Sequence, residues 1–357
     1  MSKNNWNPQY KTLDCWRGVA ALWVMIFHGF ISYNQHVHFI IQPLANFAAQ
    51  GILGVNIFFV ISGYCMAASV YKLTQKNGTI TDFIKNRIWR IYPTYWVAFG
   101  LTVIINVISS LFTNATIASS LLPSWHSWVG HLLLIQTYLG IPDYLIVYWT
   151  LVIEVAFYFT IAALLLIRKY FNQKFAIFAG LVLGFACVFT PLDTRFTFLR
   201  FWCDFVCGYL VFSALFAKHQ KKRQQQQISI FLIVVMGLLG VWMNWNLQQS
   251  YLWFSAMFAL LLYILHGIDS KIYSLSQLNW LKFIGVMSYS LYLMHVPLQL
   301  RVLVLGLKFI PIDSPLFLAL QILGWVVAIT GAFIFYRLVE VPVNDWRYQR
   351  KKIKSIV

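Results

Sequence analysis

Charged residues are scarce in this chain, and acidic residues are the scarcest among them. Only 10% of the 357 residues are charged, with 10 Asp and Glu against 27 Lys and Arg, whereas 60% are apolar. A soluble domain carries about 25% charged residues, so this sequence lacks the polar cover that a water-facing surface needs. The composition excludes an ordinary soluble enzyme and indicates an integral membrane protein.

The apolar residues also lack the period-two alternation of a membrane β-barrel. They come in blocks of about 17 to 25 residues, the length of a membrane-spanning helix. The sequence therefore predicts an all-α membrane protein with about ten transmembrane helices and no soluble catalytic domain. We expect a transmembrane domain over residues 1–340 and a basic cytoplasmic tail over residues 341–357. The spans are placed near residues 13–33, 51–71, 93–112, 148–167, 175–191, 199–216, 228–243, 251–267, 283–303 and 316–337.

The net charge of +17 is a signal of topology rather than of nucleic-acid binding. Lys and Arg concentrate in cytoplasmic loops of membrane proteins. With a cytoplasmic N-terminus, all but four of the 27 Lys and Arg residues fall on the inner side; the four are Arg195, Arg200, Arg301 and Lys308. This asymmetry predicts that both ends of the chain face the cytoplasm and that no nucleic acid is bound.

The five cysteines show neither disulfide nor metal-ligand spacing. Cys203 and Cys207 share a helix face, and a packing role is favoured for them. No metal site is expected.

A few ionisable side chains lie inside the predicted spans, where charge is costly and by default marks function. Arg17 and His28 share one helix face and are separated by about 16 Å along the helix axis. A pantetheine-like arm has this reach, from a phosphate bound near Arg17 to a thioester beside His28. Glu154 and His295, from two other spans, are expected at the depth of His28.

A histidine supported by a carboxylate can act as a general base, because the carboxylate orients the ring and stabilises the imidazolium. Taken singly, His28 could be a histidine that only bonds a neighbouring helix, and Glu154 could pair with an arginine or with backbone. The coincidence of three such groups at one depth favours the catalytic interpretation, with His28 and Glu154 as the catalytic pair.

Two further polar groups have both a functional and a structural interpretation. Arg87 and Arg90 share a helix face before the third span, and their guanidinium groups suit phosphate; positive-inside anchoring explains the same spacing. Asn56 and Ser62 lie in a glycine-marked span, where they either face a cavity or accompany close helix packing.

Six motifs stand in order along the chain. They are LDxxRGxAALxV around Arg17, GVxxFFVxSGY at Gly54–Tyr64, RxxRIYPxYW at Arg87–Trp96, WTLxxExxFY at Trp149–Tyr158, SYSLYLxH at Ser288–His295, and Glu340-Val341-Pro342. With these motifs the chain resembles the acyltransferase-3 family of bacterial membrane O-acyltransferases. The resemblance implies acyl-CoA-dependent O-acylation of cell-surface carbohydrate at the bacterial inner membrane.

The resemblance also implies roles for individual residues. His28 is the expected base, Arg17 lies on the donor side, and Arg87 and Arg90 contact the acyl-CoA phosphates. Many relatives have an acidic residue at the position of Asn56, and the missing charge weakens any role assigned there. The residues expected on the supporting or acceptor side are His295, Asn56, Ser62, Trp149, Tyr289 and Tyr292.

The leading hypothesis is a membrane enzyme that moves an acyl group, by default acetyl, from cytoplasmic acyl-CoA to a polysaccharide hydroxyl. Acyl-CoA is then a co-substrate, with no tightly bound cofactor, and polysaccharide synthesis machinery is a possible partner. A second hypothesis is a flippase for a lipid-linked saccharide that uses Glu154, His28 and His295 as a proton relay. A third is a structural subunit of a polysaccharide synthesis complex.

Overall fold

The computed structural model of the chain describes residues 6–31, 42–113, 121–189, 197–247, 251–312 and 314–354. Across these ranges every regular element is a helix and no strand is present. The predicted all-α class is therefore confirmed.

Some consecutive α-helices are joined by 3-10 turns. In chain order they are α1 (Leu13–Ile31), α2 (Gln42–Ala49), α3 (Leu53–Gln75), α4 (Ile80–Thr113), α5 (Trp125–Leu132), α6 (Tyr148–Tyr170), α7 (Gln173–Phe189), α8 (Thr197–Arg200), α9 (Trp202–His219), α10 (Arg223–Leu247), α11 (Leu252–Leu265), α12 (Asp269–Ser274), α13 (Asn279–Val286), α14 (Ser288–Gly306), α15 (Leu316–Phe335) and α16 (Val341–Lys354). A π-helical turn, Tyr336–Glu340, joins α15 to α16.

Seven helices of the described ranges are long and apolar enough to cross a membrane. The number rises to eight if α13 and α14, which meet at a bend of 69°, count as one broken span. Helix α1 is not among them, and it carries Asp14, Arg17 and His28, which lower its hydropathy. The chain is thus a multi-pass membrane protein, while the count of ten spans and the cytoplasmic placement of both ends stay predictions.

The chain divides into two compact units, each assembled from separate segments. Unit 1 contains Met1–Ala20, Leu53–Ile84 and Val152–Phe283, and unit 2 contains Ala21–Ile52, Lys85–Leu151 and Ile284–Val357. The predicted division at residue 340, into a transmembrane domain and a tail, stays a prediction.

Unit 1 is built around helices α3, α9, α10 and α11, which pack on one another. Helices α3 and α9 approach each other closely. A Cβ atom on Gly63 would lie 1.9 Å from the carbonyl oxygen of Phe205, and a Cβ atom on Gly208 would lie 1.9 Å from that of Val60. Glycine is required at both positions because the two backbones are in contact there, as is common where membrane helices cross.

The segment that precedes α1 is fixed within unit 1 by buried hydrogen bonds. Asp269 accepts from the backbone N–H of Lys11 at 2.8 Å and from that of Thr12 at 2.9 Å, and the Thr12 hydroxyl donates to the same carboxylate at 2.8 Å. Tyr10 donates to the carbonyl oxygen of Leu262 at 2.9 Å. Asp269, which lies on another helix, therefore acts as an N-terminal cap of α1.

Unit 2 is held together by the packing of α14 against α15, with Leu303, Phe317 and Leu320 in a common cluster. The hydroxyl of Tyr289, on α14, donates to the carbonyl oxygen of Ile91, on α4, at 2.9 Å. These contacts fix α14, which carries His295, against two neighbouring helices.

The aromatic side chains of the RIYPTYW segment cap the short helix α5. Tyr92, Tyr95 and Trp96 donate to the carbonyl oxygens of Leu133, His131 and Leu132 at 2.8, 2.9 and 2.9 Å. The last carbonyl groups of a helix have no partner within the helix. Helix α4 supplies these partners, which gives the three aromatic residues a structural role within unit 2.

Candidate active site

The structure brings His28 of α1 and His295 of α14 into direct contact inside unit 2. The Nε2 atom of His295 lies 3.2 Å from Nδ1 of His28, and the two ring centres are 5.1 Å apart. His28 is 9% exposed and His295 only 1%. Two buried imidazoles thus form one pair, at positions predicted from separate motifs.

The tautomers of the pair follow from the backbone oxygens that surround it. His295 Nδ1 lies 3.0 Å from the carbonyl oxygen of Leu291 and 2.9 Å from that of Tyr292, and His28 Nδ1 lies 2.9 Å from that of Val24. A carbonyl oxygen only accepts, so each Nδ1 carries a proton. Nε2 of His295 is then an acceptor for the His28 Nδ1–H, and the lone pair of His28 is on Nε2.

Several polar contacts within unit 2 support the turns that carry the two histidines. The hydroxyl of Tyr292 lies 2.5 Å from that of Thr150 and 3.1 Å from the carbonyl oxygen of Val147. Gln321 donates to the carbonyl oxygen of Gly29, next to His28, at 2.9 Å. Tyr292 thereby joins α14 to the first turn of α6, the turn that also contains Trp149.

Glu154 lies in unit 1, on α6. Its carboxylate accepts from the Ser62 hydroxyl at 3.4 Å and from the Tyr158 hydroxyl. The structure therefore brings together two predicted site residues, Ser62 and Glu154. The expectation that Glu154 shares one site with the histidines stays a prediction.

Asn56 is part of a buried polar cluster in unit 1 that sequence reasoning missed. Its amide donates to the Asp204 carboxylate at 2.9 Å and lies 3.3 Å from the Ser255 hydroxyl, which also donates to Asp204. Asp204 is 3% exposed. An acidic residue within the apolar sequence WCDFVCGYL was the signal that could have identified it, since intramembrane carboxylates are rare.

The arginines predicted on the donor side differ in their surroundings. Arg17 forms an ion pair with Asp14 at 3.3 Å, one helical turn away, and lies 3.7 Å from the Cys65 sulfur. On α4, Arg87 is half-buried and Arg90 is exposed. Their predicted contacts with acyl-CoA stay predictions.

The described residues contain no group of three His, Cys, Asp or Glu side chains arranged to hold a metal ion. No disulfide joins Cys15, Cys65, Cys203 and Cys207 to one another, and the side chain of Cys187 lies outside the described part of the chain. The expectation of no metal site stays a prediction.

The sequence model of a protein family described as an acyltransferase domain matches residues 10–337. The chain belongs to this acyltransferase family. The resemblance that the motifs carry is thereby confirmed, and His28, Glu154 and His295 all lie within the matched region of the acyltransferase.

Two relatives of this acyltransferase have names that state an activity. The chain is 24% identical over 371 residues to "Peptidoglycan O-acetyltransferase OatA" of Listeria monocytogenes serovar 1/2a, covering 93% of this chain and 55% of that protein. It is 30% identical over 121 residues to "Acyltransferase MdmB" of Streptomyces mycarofaciens, covering 33% of this chain and 29% of that protein. The chain thus matches about half the length of the first relative and less than a third of the length of the second. No solved structure matches it.

Proposed function

We propose that this acyltransferase is an O-acetyltransferase of the bacterial inner membrane. It moves an acetyl group from cytoplasmic acetyl-CoA to a hydroxyl of a cell-surface, exported or lipid-linked polysaccharide. Membership of the acyltransferase family and the similarity to a peptidoglycan O-acetyltransferase support this proposal. The observation that carries it is the buried His28–His295 pair.

His28 acts as the general base. Its Nε2 lone pair takes the proton of the acceptor hydroxyl while the hydroxyl oxygen attacks the thioester carbonyl carbon. The new C–O bond forms, the C–S bond breaks, and the imidazolium returns its proton to the departing CoA thiolate. The products are an O-acetyl ester and free CoA, and His28 regains its neutral form.

His295 holds His28 in the tautomer that this reaction needs. The Nδ1–H of His28 points at Nε2 of His295, 3.2 Å away. When His28 takes up a proton, that hydrogen bond acquires a charged donor and becomes stronger. His295 therefore performs the orienting role that a carboxylate or amide performs in hydrolase triads.

The donor enters from the cytoplasmic end of α1. Arg17 and His28 lie on this one helix, and their separation of about 16 Å along its axis suits a pantetheine arm. Arg17, Arg87 and Arg90 supply guanidinium groups for the CoA phosphates, since such groups match phosphate geometry. Asp14 shares Arg17 with the donor in this scheme.

Glu154 is the second proposed catalytic group. Ser62 and Tyr158 both donate to its carboxylate and so fix its orientation within unit 1. A carboxyl group held in one orientation suits a group that stabilises developing positive charge. Trp149, Tyr289 and Tyr292 are assigned to supporting positions around the acceptor side.

The test is transfer of radiolabel by membranes that contain the full chain. Labelled acetyl-CoA is supplied with a mixture of bacterial surface glycans, and label is counted in the alkali-labile glycan fraction. His28→Ala should abolish transfer while the amount of inserted protein is unchanged. His126→Ala is the matched control, because it removes an exposed imidazole from the same chain.

Normal transfer by the His28→Ala protein would refute the assignment of the base. Label that stays in acetyl-CoA with the intact protein, while a lipid-linked saccharide crosses the membrane, would instead favour a flippase. If acetyl-CoA gives no product, succinyl-CoA is the next donor to test, and transfer from it would change the acyl group but not the reaction.

A further inference from the structure

Arg301, on α14, is a cation whose hydrogen-bond partners among the described residues are both neutral. Its guanidinium donates to the Ser109 hydroxyl at 2.8 Å and to the Asn106 side-chain oxygen at 2.7 Å. Its Nε–H is buried and has no acceptor among the described residues. A guanidinium has five N–H donors, and two of them are used here.

No carboxylate of the described residues pairs with Arg301. The nearby loop does contain an acid, Asp143, but its carboxylate accepts from the Gln136 amide at 2.8 Å. Burial raises the pKa of Asp143, which favours its neutral form. Within the described ranges, Arg301 thus has a positive charge without a carboxylate counter-ion.

The guanidinium of Arg301 lies on the inward face of α4 rather than toward lipid. Asn106 is half-buried and Ser109 is buried, whereas Ile104 and Ile108, on the opposite side of α4, are about half exposed. A membrane arginine that faces the protein interior is costly without a partner, and such residues mark ligand or ion pathways.

The hydrogen bonds to α4 also fix the orientation of the Arg301 guanidinium. Asn106 receives the Arg301 guanidinium on its oxygen and donates from its amide nitrogen to the Tyr144 hydroxyl at 2.9 Å. Both sides of the Asn106 amide are therefore engaged, so the guanidinium is set in one orientation. An oriented guanidinium is suited to a carboxylate or phosphate, which it binds with paired hydrogen bonds.

We propose that Arg301 binds an anionic group, a carboxylate or a phosphate, carried by the acceptor carbohydrate. The proposal rests on the proposed acetyl transfer to carbohydrate. Arg301 follows His295 on α14 by six residues, which is about 9 Å along the helix axis. The anion is therefore expected on the acceptor unit next to the acetylated one rather than on the reacting unit itself.

The experiment compares two acceptors that differ only in charge, cellotetraose and its C6-carboxylated form. The detergent-purified full chain is assayed with labelled acetyl-CoA at constant ionic strength. In Arg301→Gln, KM for the carboxylated acceptor should rise about tenfold or more, because a charge-assisted hydrogen bond is lost. KM for cellotetraose should not change.

Lys308→Gln is the matched control, since it removes a positive charge two residues beyond the end of α14. Lys308 is exposed and donates to the carbonyl oxygen of Phe112 at 2.6 Å, so both KM values should stay as in the intact chain. An equal rise in KM for the two acceptors in Arg301→Gln would show that Arg301 only links α14 to α4. A rise in Lys308→Gln as large as in Arg301→Gln would show a general charge effect, and either result overturns the proposal.

A binding measurement separates this proposal from the proposed function. The carboxylated tetrasaccharide should raise the thermal unfolding midpoint of the intact chain but not of Arg301→Gln, even if neither acceptor is acetylated. Absence of that shift in the intact chain would overturn the anion site while leaving acetyl transfer to other acceptors open to assay. If added phosphatidylglycerol removes the shift completely, Arg301 binds a lipid headgroup and the assignment to the acceptor is wrong.

Discussion

Replacing His295 tests whether the second histidine orients the first. His295→Leu removes the acceptor that lies 3.2 Å from Nδ1 of His28 and keeps an apolar side chain in a fully buried position. A hydrogen bond to a charged group contributes about 1.5–3 kcal/mol, and each 1.4 kcal/mol or so changes a rate about tenfold. Because the His28 Nδ1–H is shared with the carbonyl oxygen of Val24, we expect the lower end, a fall in kcat of about 10- to 30-fold.

His295→Gln gives the matching rescue. The side-chain oxygen of glutamine reaches the place of Nε2 and accepts the same proton, so most of the lost rate should return. The assay is the initial rate of label transfer from acetyl-CoA at saturating acceptor, with equal amounts of inserted protein. Equal rates for the Leu and Gln variants, or a Leu variant as active as the intact chain, would refute the orienting role of His295.

Two further predictions concern the packing of unit 1. Gly63→Ala should lower the free energy of unfolding by about 1–3 kcal/mol, because overpacking has a cost of that size and the new Cβ meets the backbone of Phe205. Gly100→Ala meets no atom within 4 Å and should not lower it; equal thermal midpoints of the two variants in detergent would contradict the reasoning. Asp204→Leu should lower the free energy of unfolding by about 1–3 kcal/mol for each donor left unsatisfied. Asp204→Asn should lower it less, because it keeps an oxygen near Asn56. A Leu variant with the thermal midpoint of the intact chain would show that the cluster does not stabilise the fold.

The helical fold could be predicted because apolar blocks of membrane length leave few alternatives. Within the described residues each predicted span overlaps at least one helix, but the span at residues 283–303 crosses the 69° bend between α13 and α14, which could not be predicted. Neither could the packing of Gly63 against Phe205, because the sequence does not state which helices cross. Span lengths follow from local composition, whereas helix partners depend on contacts between distant segments.

The candidate site was predictable in part for the same reason. His28 and His295 were predicted at one depth from their positions in separate spans, and the structure adds that their rings touch. Asp204 was missed, although an acid inside an apolar span is detectable by eye. The hydrogen bond between Asn56 and Asp204 shows how an amide at position 56 can belong to a cluster that contains an ionisable side chain. The amide of Asn56 is on α3 and the carboxylate of Asp204 is on α9.

The capping of α5 by Tyr92, Tyr95 and Trp96 removes that helix's dependence on water. A helix end normally has to reach solvent, where water satisfies its last carbonyl groups; here the neighbouring helix carries the donors on side chains. A helix of eight residues can therefore end and turn back with its last carbonyl groups bonded to protein donors instead of water. The His131 carbonyl oxygen also accepts from the Leu134 N–H at 3.1 Å, so the Leu132 and Leu133 carbonyl groups depend most on the aromatic donors, and a phenylalanine at Tyr92 would leave the Leu133 carbonyl group without its side-chain donor.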